Sequence, residues 1–167
     1  MDKRLLALLP ALALALLFSL PAEAQTGEVN VTATVSGYIT VTFNYTEVNY
    51  GTLTAGTTNE PAPNQADGIY NCTVDTNTDY GVKAYGTDFS DGAGHTFSIS
   101  NLKMDTNTTA ANLALGDAVA LSTSYVTIDT NIPYTETANF HGFWLNIPSG
   151  QYAATYTSTL TITFFSV

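Results

Sequence analysis

Residues 152–164 read YAATYTSTLTITF, and this stretch decides the fold class. Tyr152, Ala154, Tyr156, Leu160, Ile162 and Phe164 fall on one side of an extended chain. Thr155, Thr157, Thr159, Thr161 and Thr163 fall on the other. Side chains alternate across a strand, so this spacing sets a dry face against a hydroxyl face. Threonine is β-branched and keeps the backbone extended without adding charge. The pattern predicts one long final strand, and the chain's 28 threonines suit a fold with many solvent-facing strand positions.

The same period continues towards the N-terminus. Pro148-Ser149-Gly150 is a turn, and residues 140–147 are apolar on both faces, as in a central strand that buries Trp144. Val126 and Ile128 mark a short strand, Phe97, Ile99 and Leu102 another, and residues 113–122 a weak strand or helical turn. Tyr80, Val82 and Ala84 follow the polar turn at residues 75–79 and read as the hairpin partner of Tyr70, Cys72 and Val74. Val48, Tyr50 and Leu53 form a short segment, and Ile39, Val41 and Phe43 a stripe. A further stripe, Val29, Val31, Ala33 and Val35, lies ahead of Ser36-Gly37. Short strands separated by turns predict an all-β, antiparallel, immunoglobulin-like sandwich.

Residues 1–24 are expected to be a cleaved secretory signal. Lys3 and Arg4 precede an apolar run of roughly 16 residues, short of the about 20 that span a bilayer, and Ala22-Glu23-Ala24 is a small-x-small cleavage site before Gln25. The expected organisation is thus a signal at 1–24, a separate N-terminal strand at 25–36, and a sandwich domain at 37–167. The product would be secreted to the cell surface or beyond, with no integral membrane segment.

Four Lys and Arg against fourteen Asp and Glu give a net charge of −10. The signal removes two of each sign, which leaves Lys83 and Lys103 as the cations of the exported chain. Nucleic acid and anionic lipid both require a basic footprint, so both are excluded as partners. Cys72 has no second cysteine to pair with and reads as a small buried hydrophobe.

Catalysis has no foothold in the sequence. G-x-S-x-G and H-E-x-x-H are absent, His95 and His141 read as surface or strand-edge residues, and Asp129 and Glu136 form no acid–base pair. No pattern implies a cofactor. Asp75-Thr76-Asn77-Thr78-Asp79 spaces oxygen ligands as a calcium loop does, but Tyr80 stands at the turn glycine and Gly86 at the bidentate glutamate. Those residues, like Asp88 and Asp91, read as ordinary loops.

Four N-x-[ST] sequons begin at Asn30, Asn44, Asn71 and Asn107 and would permit N-glycans. Asn30, Asn44 and Asn71 are expected to face solvent, and Asn107 to lie in a polar loop. The alternating segment Val29, Val31, Ala33 and Val35 carries what one subunit needs to complete a neighbour's sheet, with main-chain bonds for affinity and alternate side chains for pockets. Burying three Val and one Ala is worth roughly 5–10 kcal/mol. The other reading is that this segment pairs within its own domain. Ten Tyr and Trp144 also allow a different class of function, a secreted module that stacks aromatic rings on carbohydrate.

Three stretches carry a resemblance. Val48-Asn49-Tyr50-Gly51-Thr52-Leu53 resembles the aromatic-Gly segment of spore-coat-U-like and chaperone–usher-like pilin domains. Gly68-Ile69-Tyr70-Asn71-Cys72-Thr73 with Tyr80-Gly81-Val82 is similar to their cysteine-containing hairpin. Ile147-Pro148-Ser149-Gly150-Gln151-Tyr152 with Thr157-Ser158-Thr159-Leu160-Thr161-Ile162 resembles their closing strand. The chain departs from that pattern in lacking the first cysteine of the usual disulfide. In architecture and composition it also resembles archaeal surface threads and bundling pili. The resemblance implies a non-enzymatic subunit of a surface filament or biofilm matrix that self-polymerises by strand donation. Residues 28–35 would be the donated strand, and Ile39, Val41, Phe43, Leu160, Ile162 and Phe164 would line the groove receiving it.

Overall fold

The computed structural model describes residues 31–167. Eleven strands follow in chain order: β1 (Ile39–Phe43), β2 (Glu60–Pro61), β3 (Asn71–Thr76), β4 (Tyr80–Gly86), β5 (Phe89–Ser90), β6 (Thr96–Phe97), β7 (Leu102–Asn107), β8 (Val119–Ala120), β9 (Val126–Ile132), β10 (Ala138–Leu145) and β11 (Leu160–Ser166). The remaining regular structure is three single 3₁₀ turns. The all-β reading holds, and every strand pairing is antiparallel.

One sheet runs β1-β3-β10-β7-β8, with β2 on the edge of β10 beyond β3. A second runs β11-β4-β9, and β5 and β6 form a small ribbon. The apolar faces of the two sheets meet in a shared core. Cys72 and Val74 of β3 pack with Tyr80 and Val82 of β4, and Phe143 of β10 packs with Ala84 of β4. β10 is the central strand its composition predicts, and Phe143, Trp144 and Leu145 are all buried. Gly142 makes this possible on the outer face. A Cβ there would sit 2.6 Å from the Trp144 ring, so only hydrogen lets the indole lie flat against the strand.

Two sequence expectations are corrected. β3 and β4 are not hairpin partners, because β3 pairs with β1 and β10 while β4 pairs with β11 and β9. Both strands carry a buried stripe. A hairpin would place both stripes on one sheet, whereas crossing from sheet to sheet brings them face to face. The final strand is also shorter than its alternation predicts. β11 begins at Leu160, and residues 151–158 leave its register. Thr157 bridges Ser90, one residue out of the register that pairs Leu160 with Gly86.

The oxygen ligands of residues 75–79 are used internally. Asp75 accepts from the Tyr38 hydroxyl at 2.9 Å, Asn77 Oδ1 from Tyr38 N at 2.9 Å, and Asp79 from Tyr134 N at 3.0 Å.

Candidate functional site: an open groove beside the last strand

β11 is bonded along one edge only. Thr87 N donates to Thr159 O at 2.9 Å and Val167 N to Asp79 O at 3.0 Å, both in the register that pairs Leu160 with Gly86. Bonded and non-bonded pairs alternate along an antiparallel ladder. The odd-numbered residues of β11 therefore bond to β4. The N–H and C=O groups of Leu160, Ile162 and Phe164 point the other way, and no strand among the described residues pairs with that edge.

The facing edge of β1 is open in the same sense. Asn44 N donates to Asn71 O at 2.9 Å, so the backbone groups of Ile39, Val41 and Phe43 point away from β3. Phe43 and Phe164 touch edge to face across the seam, with centroids 6.2 Å apart. The side chains of Leu160, Ile162 and Phe164 stay half-buried, although they are the dry face of their strand.

The seam between these edges opens into a groove at one end. A groove of about 1200 Å³ runs between residues 43–55 on one side and residues 151–162 on the other, over a floor that includes Leu102, Phe143 and Leu145. A smaller recess of about 430 Å³, lined by Tyr38, Ile39, Ser166 and Val167, lies at the opposite end of the β1–β11 seam.

Both walls are held by specific contacts. On the 151–162 side, Gln151 Nε2 donates to the Tyr156 hydroxyl at 2.8 Å, and that hydroxyl donates to Tyr152 O at 3.0 Å. The Tyr152 ring stacks on His95 at 4.2 Å, and His95 Nδ1 meets Asp91 at 2.6 Å. His95 thereby holds the Asp91 carboxyl below its ordinary range. On the 43–55 side, the Tyr45 hydroxyl lies 2.6 Å from His141 Nδ1. Burial drives the Tyr45 and Tyr50 hydroxyls far above the usual phenol range, and the Tyr50 hydroxyl has no hydrogen-bond partner.

His141 overturns a second group of expectations. It is not at the surface or at a strand edge but 0% exposed on central β10, ringed by Phe43, Tyr45, Phe143 and Phe164. Desolvation pushes its imidazole down to about 3. It shares the inner face of β10 with Asn139, whose Oδ1 accepts from Thr106 Oγ1. The Tyr45–His141 pair joins residues 96 positions apart, so nothing in the local sequence signals it. His95 is at the surface as expected. Cys72 is buried, and burial raises its thiol to about 12.

The donor-strand residues divide at the start of the described chain. Val29 lies outside the described residues, as does Asn30. Val31 is 89% and Val35 81% exposed, and residues 31–38 form no strand. Ala33 is exposed too. Of the sequons, Asn44 is exposed as expected, whereas Asn71 is half-buried, with its Nδ2 donating to Gly68 O at 2.6 Å and its Oδ1 accepting from Asn44. Asn107 is half-buried, and its Oδ1 accepts from Thr109 N at 3.2 Å. Trp144 is in the core, while Tyr38, Tyr125, Tyr134 and Tyr152 are the exposed rings.

These features define an all-β, antiparallel protein with an unpaired last-strand edge beside an apolar groove. No protein-family model matches the chain, and no curated protein matches it.

Proposed function

We propose that this chain is a secreted, non-enzymatic subunit of an extracellular filament or matrix. Residues 25–36 of one copy would fill the groove of the next. One observation carries this reading. The free edge of β11 and the half-buried Leu160 and Ile162 border the groove, while Val31 and Val35 project from a segment with no strand pairing of its own. Fully extended, the eight residues 28–35 would measure about 26 Å, against about 23 Å for the whole of β11, whose Leu160–Ile162 portion borders the groove. Unpaired edges invite pairing with another chain, and alternate side chains then fill the pockets. Burying three Val and one Ala contributes roughly 5–10 kcal/mol, which the ordering of the segment partly offsets.

The export signal, release from the cell and glycans at exposed sequons such as Asn44 belong to the same proposal. The net charge of −10 fits it with one condition: copies repel at long range, so association depends on contacts made after approach.

The test is native purification, negative-stain microscopy and heating in detergent. Fibres and detergent-resistant ladders are expected from the wild type. Val31→Asp is expected to abolish them without affecting export, because it forces a carboxylate into an apolar groove. Fibres persisting in Val31→Asp would remove residues 25–36 as the joint. A clean monomer retained on a polysaccharide column would favour the carbohydrate-binding module instead.

A further inference from the structure

We propose that His141 makes the groove acid-sensitive: its protonation releases Tyr45 and swings the 43–50 wall away from the core, so that acid empties the groove. This rests on the filament reading only for what occupies the groove.

The geometry is specific. Tyr45 lines the groove, and its hydroxyl is tied to His141 Nδ1 at 2.6 Å. Phe43 and Phe143, which also line the groove, stack around the same imidazole with centroids 5.8 and 6.4 Å away. The second ring nitrogen, Nε2, has no hydrogen-bond partner. Whichever tautomer is present, one side of the ring is unsatisfied, and a second proton would add a charge with nothing to receive it. Buried polar groups are nearly always partnered, and an unpaired buried cation is unstable. An imidazolium here must reach water. β10 is flanked by β3 and β7 on both edges, so the route to water leaves across its inner face, past Tyr45 and the partly exposed Phe43.

No other group in the cluster changes charge in mild acid. The ionisable side chains packed around this site are Tyr45, Tyr70, Cys72 and Tyr80, all shifted upward and therefore neutral. The core side chain that β11 presents to the imidazole is Phe164, and β7 places Thr106 opposite it. The carboxylates lie outside this shell: Glu47 acts on Tyr70, Glu60 on Tyr50, and Asp129 and Glu136 on Tyr80, while the buried Asp105, which burial raises, sits across from Gly142 on the other face of β10 from His141.

The sign follows from linkage. The imidazole titrates at about 3 while enclosed and near its ordinary value of about 6.5 once wet. Closure is fully favoured above the higher value and weakens about tenfold per pH unit below it, down to the lower one. At pH 4.5 the open form is therefore about 100-fold more populated than at neutral pH. A strand in the groove packs against the same closed wall, so its release follows the same curve.

The test has two arms. In monomeric Val31→Asp protein, amide exchange of residues 45–50, corrected for its intrinsic pH dependence, is expected to rise about 100-fold from neutral pH to pH 4.5. In the same background His141→Asn is expected to flatten that rise. In fibres, the wild type should shed subunits over this range and His141→Asn should not. An equal rise with Asn at 141, or imidazole NMR showing His141 protonated while the wall amides stay protected, overturns the proposal. Should His141→Asn fail to fold, Tyr45→Phe decides. It removes the bond to Nδ1, so the His141 midpoint and the exchange rise should both move to higher pH, and an unmoved rise overturns the proposal. Absence of fibres at every pH would defeat the filament reading and leave the monomer arm intact.

Discussion

β10 and β11 are both apolar, both antiparallel, and eight and seven residues long, yet they stand in opposite situations. β10 is paired on both edges, and six of the seven positions from Asn139 to Leu145 are buried, Phe140 being the exception. β11 is paired on one edge, and none of its residues is fully buried. The difference is not in hydrophobicity. Ile162 and Phe164 would suit a core as well as Phe143 does. It lies in what the rest of the chain supplies: β3, β2 and β7 flank β10, whereas the far side of β11 opens onto the groove. A strand can therefore be built for a core and left incomplete.

Truncations should separate the two strands most widely. Phe143→Ala is expected to destabilise the monomer by about 3–5 kcal/mol in urea unfolding, through lost transfer energy and a cavity. Ile162→Ala should cost about half as much in the monomer, since its side chain already meets the groove. The comparison breaks if the two losses are equal. In fibres Ile162→Ala should move towards the larger figure, because a filled groove makes the site a core.

Proline tests the edge itself. Thr161→Pro removes an N–H that bonds to β4 and is expected to cost about 3 kcal/mol or more. Ile162→Pro removes one that points into the seam, so in the monomer it should cost clearly less, while detergent-resistant assembly is lost. Equal thermal unfolding shifts for the two would show that the edge is not free.

Smaller effects sharpen the β10 side. Gly142→Ala is expected to cost about 1–3 kcal/mol, since the added methyl meets the Trp144 ring at 2.6 Å and displaces its fluorescence environment. Cys72, buried against β10 with its thiol near 12, should react with a thiol reagent only at the rate of global unfolding. Reaction in the native state would mean that this side opens as well. Last, because each copy carries −10, association should quicken when salt is raised from about 0.01 to 0.15 M, as the screening length falls from about 30 to 8 Å.

Much of the fold was legible in the chain. The alternation at Ile39/Val41/Phe43, Cys72/Val74, Tyr80/Val82 and Leu160/Ile162/Phe164 gave the strand class and the inward face of each strand, and the two-sided apolar run at 140–147 gave the central strand. The burial of Cys72 and Trp144 followed from the same patterns. Of the candidate site, Phe43, Leu160 and Ile162 line the groove as expected, whereas Ile39, Val41 and Phe164 do not, and the groove itself was not legible. The hairpin expected between β3 and β4 and the long strand expected from Tyr152 both failed where a local pattern was asked to name a partner. His141 was misread because a lone histidine in a strand is usually wet, and its ring of aromatics comes from β1, β10, β11 and the chain just after β1.

By itself, then, the sequence determined that this is an antiparallel all-β chain, which side of each strand is dry, and that little charge is available to steer partners. Only the tertiary structure decided which strands are neighbours, which open edges face each other across the β1–β11 seam, and that an imidazole is sealed behind Tyr45. The physical reason is range. Period-two alternation is a property of a few consecutive residues and sets the face of a strand, whereas an edge or a cavity is defined by residues far apart in the chain that packing brings together.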